Sequence, residues 1–500
     1  MTTVQTSTAD TSYPGGRGSG HGHVNKNLAL VVLAVAQLMV VLDATIVNVA
    51  LPDISRALHV ASSADLQWVV TGYTLTFGGF LLLGGKLADR IGRKKVFMGG
   101  ALLFAAASLV GGLAGNLGVL LTARGVQGMG GALMSPAALS LITVIFDEGK
   151  ERNRAFGIYA AITAGGAALG LILGGVLTQY ASWRWVFFVN LPIAAVAVVG
   201  AIRFVPDSRD ENAQGFDIPG AVLVTGGLIS LVYALVKGNQ YGWASGRTIG
   251  TLAFAAVLLV AFAVIQTRAT APLVPFRVFH SKSVLGADIG SLLVGAGIFA
   301  IFFFLILWMQ VVNGYSPVRS GLAFLPMTLI IGVSAGIGSQ LLGRVGPRPL
   351  LTIGPAISGL GLLSLGLRLT PSSSYLGTVL PSLAVVALGM GITFVSLTSA
   401  AVAGVADEDA GIASALLNAG QQVGGALGLA VLTAVSTART THLVHGGADP
   451  RSFVSLVDGW DAGFLVGGGL LITAAVVMSS LVRISAADAS AALQEGTLVV

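Results

Sequence analysis

Cysteine is absent from this 500-residue sequence, so neither a disulfide nor a thiolate metal site is available to it. Charge is scarce as well: Asp, Glu, Lys and Arg make up 10% of the chain, against about 25% in soluble domains. No G-x4-G-K-[ST] stretch occurs, so nothing points to nucleotide-driven work. Histidine numbers six, and no His/Asp/Glu cluster suggests a metal. His21 and His23 stand in a polar tail, where solvation is the default. These absences count most against an enzyme and imply no cofactor.

What is present is apolar. Hydrophobic residues make up 54% and the mean hydropathy is +0.87. The 69 glycines suit closely packed membrane helices, where small residues let backbones approach. The class is therefore an all-α polytopic membrane protein. Fourteen candidate helices are expected, at 28–51, 66–86, 96–115, 117–145, 153–179, 183–203, 217–237, 247–267, 283–312, 319–342, 348–369, 376–404, 410–437 and 461–483. The longest expected outer loop is 438–460, and no soluble signalling domain stands between the helices. No cleavable signal peptide is evident; residues 1–26 are polar and rich in Gly, Ser and Thr, the composition of a disordered tail.

The net charge of +6 follows topology rather than nucleic acid. Lys86, Arg90, Arg93, Lys94 and Lys95 crowd the connection between the second and third helices, and basic loops stay cytoplasmic. With both termini on that side, 18 of the 27 basic residues fall in the cytoplasm and 8 outside; Arg124 lies within a helix. The expected location is the plasma membrane, with both termini cytoplasmic.

The basic loop has an echo. Arg90 laid on Arg344 also aligns Leu87 with Leu341, Gly92 with Gly346 and Lys94 with Arg348, a common offset of 254 residues. Gly166, Gly170 and Gly174 align with Gly420, Gly424 and Gly428 at the same offset. Either glycine stripe alone reads as packing; the match argues for two six-helix pseudo-repeats. The expected organisation is a cytoplasmic tail at 1–27, a six-helix bundle at 28–203, an inserted helix pair at 204–270, a second bundle at 271–484 and a tail at 485–500.

Charges inside spans are costly and mark function or structural pairing. Asp43 in the first helix and Arg124 in the fourth each lie roughly 10–12 Å below the outer surface at 1.5 Å per residue. They suit a proton site, or a static pair joining two helices. Asp288, near the cytoplasmic end of the ninth helix, suits a cationic substrate, a second proton or the headgroup boundary. Asp89, Arg90 and Arg93 serve topology and could also pair across the two halves as a gate. Tyr73, Phe77, Tyr159, Phe302, Phe303, Trp308 and Phe394 are the aromatic candidates for a cavity wall, and packing is the alternative for each.

These stretches have a family likeness. GGKLADRIGRKK resembles the loop motif of the major facilitator superfamily. LDATIVNVALPDI, the Arg124 stretch, WRWVFFVNLPI, FDIPGAVL and YSPVRSGLAFLP resemble the fourteen-helix drug:proton antiporters, over about residues 28–483. The resemblance implies proton-driven export by alternating access. It assigns Asp43 and Arg124 to proton coupling and Asp89, Arg90, Gly92 and Arg93 to the gating loop. Two departures stand out. Gly170-Leu171, followed by Gly174-Gly175, replaces the family's Gly-Pro, which removes a source of kinking. Gly343 stands where Asp89 stands in the first loop.

The leading expectation is proton-coupled efflux of small amphipathic or hydrophobic drugs. Export of an endogenous metabolite, lipid or siderophore comes next, and a non-transporting sensor is the alternative from another class. The expected partners are a small-molecule substrate, protons and the lipid bilayer, without nucleic acid, and a monomer is expected.

Overall fold

The structure, a computed structural model, describes residues 25–60, 62–210, 215–402, 407–449 and 452–483. The expected tails, apart from residues 25–27, lie outside them, as do His21 and His23. Fourteen described helices are long and apolar enough to cross a membrane: α1 (Lys26–Ala57), α2 (Ser63–Ile91), α3 (Arg93–Gly112), α4 (Leu117–Ile145), α5 (Lys150–Tyr180), α6 (Trp185–Phe204), α7 (Ile218–Tyr241), α8 (Gly246–Arg268), α9 (Lys282–Val312), α10 (Pro317–Val345), α11 (Pro347–Arg368), α12 (Tyr375–Ala401), α13 (Gly411–His445) and α14 (Phe453–Leu481). The protein is thus a multi-pass membrane protein with fourteen spans.

Local chemistry sets the helix ends. Asn25, Ser62, Asn116, Asp217, Ser245, Ser281, Ser316 and Ser452 each accept a hydrogen bond from a backbone N–H of the first turn that would otherwise be unpaired. Pro317 follows Ser316 in the first turn of α10, where its missing N–H is harmless. Gly92 and Gly346 separate α2 from α3 and α10 from α11, with φ of +122° and +76°. A side chain at either would be strained, and the two occupy matching places in the repeat.

One boundary differs from expectation. The loop expected over 438–460 is largely helical, because α13 runs on to His445 and α14 begins at Phe453. Asp458 and Asp461 depress the local hydropathy and hide the start of α14. Ser452 caps that start, and Val457 and Trp460 are buried behind it.

Helices α1–α6 pack with one another, as do α9–α14. The glycine stripes carry equivalent contacts. Gly166 and Gly174 bring α5 against Leu38 and Ile46 of α1, while Gly424 and Gly428 bring α13 against Leu292 and Ala296 of α9. The inserted α7 lies on α2 and α13, where Lys237 Nζ is 2.6 Å from Asp65 Oδ1 and Asn239 Nδ2 donates to Ala434 O at 2.7 Å. Helix α8 packs on α7 and is otherwise apolar surface.

The end of the molecule that carries Lys86–Lys95 is called the basic face below. Along the α5–α10 seam the two bundles touch at the opposite face. A Cβ added at Gly175 would lie 2.7 Å from Pro317 O, one at Gly321 would collide with Leu171 O, and Val318 N–H donates to Gln179 Oε1 at 3.2 Å. At the same end, Gln310 Nε2 of α9 donates to Val49 O of α1 at 3.0 Å. Toward the basic face, Gly157 and Gly165 of α5 and Gly332 and Gly336 of α10 border open space.

Candidate functional site

The polar centre of the first bundle is Asp43. Helix α1 is apolar around it, and α1 and α4 run antiparallel, so a residue in the half of one that lies away from the basic face meets the same half of the other. Arg124 Nη1 reaches Asp43 Oδ2 at 2.5 Å, with the side chains 1% and 0% exposed. Two further donors converge on Asp43 Oδ1: Gln127 Nε2 at 2.6 Å and Asn190 Nδ2 at 3.0 Å. Both amides also donate to Ser108 Oγ, at 2.8 and 3.3 Å. The carboxylate therefore meets donors only, the arrangement that suits its ionised form.

Arg124 is held as firmly. Its Nε donates to Val69 O at 2.8 Å and its Nη1 to Gln127 Oε1 at 2.8 Å. Its guanidinium lies over the Tyr73 ring, 4.3 Å from the centroid, with Phe187 on another side at 6.0 Å. Five helices thus contribute to one network around Asp43 and Arg124: α1, α2, α3, α4 and α6. Two buried charges are stable only with such a full set of partners, and removing one partner of a buried pair costs about 3–5 kcal/mol.

The pairing of Asp43 with Arg124 was legible as equal depth; Gln127, Ser108 and Asn190 were not singled out. Gln127 carried a signal, since it stands three residues after Arg124 on one helical face. Asn190 sits within the WRWVFFVNLPI stretch, where the α6 backbone restarts at Asn190 with Pro192 in its first turn. Ser108 is a lone hydroxyl in an apolar run and carried none.

Among the cavity candidates, Tyr73 and Phe77 stack on each other at 5.9 Å, and the Tyr73 ring lies against Arg124. Tyr159 is buried in the same apolar cluster. Phe303 is 1% exposed and packs on Phe304 in the core of the second bundle, so it faces no cavity in this conformation. Trp308 is likewise buried, its Nε1 donating to Thr370 O at 3.0 Å. Asp288 stands apart from the Asp43 network; its carboxylate oxygens are buried and make no hydrogen bond among the described residues.

The loop residues differ from expectation in their partners. Asp89 pairs with Arg93 one turn away, at 2.9 Å, rather than across the two bundles. Arg90 lies over the Phe216 ring at 5.3 Å, Arg93 N–H donates to Ser208 O at 2.9 Å, and Asp210 N–H donates to Asp89 O at 2.9 Å. Lys86 Nζ donates to the carbonyls of Ala271 and Pro272. The physical reason is proximity: α7 packs on α2, so the connectors flanking the inserted pair reach this loop. Gly170 and Gly174 line the α1 contact and Gly175 the α10 contact. Leu171 leaves α5 continuous from Lys150 to Tyr180, without the kink a proline would introduce.

The chain has relatives along nearly its whole length. Residues 33–429 match the Major Facilitator Superfamily. The Puromycin resistance protein pur8 of Streptomyces alboniger is 41% identical over 466 residues, covering 92% of each chain. The Cephamycin export protein CmcT of Amycolatopsis lactamdurans is 40% identical, covering 83% of this chain and 85% of its own. Among solved structures, the POT family transporter PepTSo superimposes with a TM-score of 0.67 at 18% identity, covering 92% of this chain and 98% of its own, which speaks to the fold. The chain therefore belongs to the Major Facilitator Superfamily, in its fourteen-helix drug:proton antiporter family.

Proposed function

We propose that this protein exports small amphipathic or hydrophobic drugs across the plasma membrane in exchange for protons, by alternating access. The basic face lies in the cytoplasm, with both termini there, following the 18-to-8 distribution of basic residues. Relatives named for puromycin resistance, cephamycin export and lincomycin resistance support drug export. Asp43 loads and releases the proton, Arg124 stabilises the unloaded carboxylate, and the α2–α3 loop around Asp89, Arg90, Gly92 and Arg93 steadies the cytoplasmic side during the cycle. Gly166, Gly170, Gly174 and Gly175 let α5 shift against its neighbours, and the transporter works as a monomer.

The carrying observation is the Asp43 network. One carboxylate inside the membrane is ringed by donors, and it pairs with a buried cation. Protonating Asp43 removes the charge that Arg124 pairs with and frees α1 from α4. That change is large enough to bias a rocking equilibrium, which responds to a few kcal/mol. The seam at the opposite face is closed here, so this conformation is the one in which the proton has left toward the cytoplasm. A second reading is export of a compound the cell itself makes, favoured by the relative named for cephamycin export.

The test is drug-driven proton movement in proteoliposomes, with ethidium as the first probe, comparing wild type with Asp43→Asn. Proton release on adding drug, lost in the variant, supports the reading. Release that survives the substitution moves the coupling site away from Asp43.

A further inference from the structure

A line of polar groups runs from the Asp43 network toward the basic face along the seam of α1, α2 and α4. The Tyr73 side chain is 2% exposed and its hydroxyl has no hydrogen-bond partner among the described residues. That hydroxyl borders Gly131, where an added Cβ would lie 3.4 Å from it. Gly131 is one turn beyond Gln127 on α4, and Gln127 is bonded to Asp43. One turn further, Ser135 Oγ donates to Gln37 Oε1 at 3.0 Å. Gln37 precedes Asp43 by six residues on α1, about 9 Å along the helix, and is half-buried where Asp43 is fully buried. The register is consistent. With α1 and α4 antiparallel, placing Asp43 beside Gln127 brings Gln37 beside Ser135. The Tyr73 hydroxyl falls between the two pairs, beside Gly131, which stands midway between Gln127 and Ser135 on α4.

A buried hydroxyl without a partner costs about 1–3 kcal/mol, so one that persists in a site has a partner to serve or to carry. We propose that Tyr73, Ser135 and Gln37 form the route by which the proton leaves Asp43 for the basic face, with water joining the groups. This inference rests on the antiport reading. The protonated Asp43 carboxyl gives its proton into the line. The Tyr73 hydroxyl oxygen accepts one proton as its own hydroxyl proton passes on toward Ser135 and Gln37. Tyr73 ends neutral and unchanged, and Asp43 ends as the carboxylate paired with Arg124. Gly131 lets the Tyr73 hydroxyl and the edge of the Phe77 ring approach α4 closely, and a Cβ there would crowd both. The aromatic ring has a separate duty, covering Arg124 and packing on Phe77, so removing the hydroxyl alone leaves that packing in place.

The experiment follows proton release by stopped flow in proteoliposomes holding the full chain and a trapped pH dye, with ethidium as the driving substrate. Ethidium binding to the same preparations is read by fluorescence anisotropy. Tyr73→Phe is expected to slow proton release about tenfold or more, the scale of one positioned proton-transfer group. It is also expected to raise the solvent deuterium isotope effect, while changing ethidium affinity by about twofold or less. Ser135→Ala is expected to slow release by a smaller factor with the same isotope signature. Release in Tyr73→Phe matching wild type overturns the route and leaves antiport standing. Joint loss of ethidium binding and release in Tyr73→Phe also overturns it, in favour of a substrate contact. Wild type that moves no protons removes the antiport reading and the route together.

Discussion

Asp43 and Arg124 stand 81 positions apart in the chain and meet at 2.5 Å with neither side chain more than 1% exposed. Each is costly to bury alone, and each has further hydrogen-bond partners: Gln127 and Asn190 for Asp43, Val69 O and Gln127 for Arg124. The pair therefore ties the integrity of the first bundle to the protonation of one carboxylate.

Single and double substitutions separate charge from function. Arg124→Gln leaves a buried carboxylate without its cation and Asp43→Asn leaves a buried cation without its anion. Each is expected to destabilise the detergent-solubilised protein by about 3–5 kcal/mol. The double substitution leaves no buried charge and is expected to regain most of the melting temperature while staying inactive in drug-driven proton release. Thermal unfolding by differential scanning fluorimetry reads the first effect, and the double variant melting as low as either single one would sink the argument.

The seam at the face away from Lys86–Lys95 depends on backbone approaching backbone at Gly321 and Gly175. Gly321→Val places a branched side chain against the Leu171 carbonyl and is expected to hold that seam open. The chain has no cysteine, so a single Leu171→Cys, buried beside Gly321, can report on it without prior replacements. Labelling by a membrane-impermeant maleimide is expected to speed up in the Gly321→Val background, and drug transport to fall about tenfold. Unchanged labelling would mean that the seam closes by other contacts.

Gly92 has φ +122°, a region that other residues enter only under strain, about 1–3 kcal/mol. Gly92→Ala is expected to lower the melting temperature and the yield of folded protein. Lys95→Ala, in the same loop but with helical backbone, is expected to change neither. Equal behaviour of the two variants would remove the strain argument.

Asp217 anchors the inserted pair. It accepts from Gly220 N–H at 2.7 Å and from Gln266 Nε2 at 2.6 Å, and Gln266 Oε1 in turn accepts from Val274 N–H at 3.0 Å. Asp217→Ala is expected to cost about 1–2 kcal/mol, the scale of a lost helix cap, more for the stranded Gln266 amide. Its expected signature is faster proteolysis between α8 and α9, where Gln266 holds Val274, with the range of exported drugs unchanged. A narrowed drug range would instead assign the pair a part in substrate handling.

Asp288 keeps a carboxylate without a described hydrogen bond near the basic end of α9. Asp288→Asn is expected to lower export of cationic dyes before that of neutral drugs, read as separate susceptibility profiles in overexpressing cells. Equal loss of both classes points to proton coupling at this residue, and no loss removes both roles.

Much of this was legible before any contact was known. Apolar runs of span length located fourteen helices, because hydropathy over about 20 residues is a local property. The shared offset of the loop and glycine stripes read as a duplication, and Gly92 and Gly346 take matching positive-φ positions between helices. The start of α14 was missed because Asp458 and Asp461 interrupt the hydropathy, although buried side chains on the same turns compensate. The partners that Asp89 and Arg90 have here come from the connectors of the α7 insertion, and nothing local to GGKLADRIGRKK encodes that.

By itself, then, the sequence determined the membrane class, the number of spans and the repeat, and it singled out Asp43 and Arg124 as charges inside the spans. Composition, periodicity and spacing act over one or two helices and survive without coordinates. Only the tertiary structure decided that Gln127, Ser108 and Asn190 complete the Asp43 site, that Tyr73 covers Arg124, and that Phe303 is core. Those facts depend on the rotation and axial register of helices far apart in the chain. A rotation of one residue's worth, about 100°, would turn any of these side chains from the site to the lipid without altering the hydropathy at all.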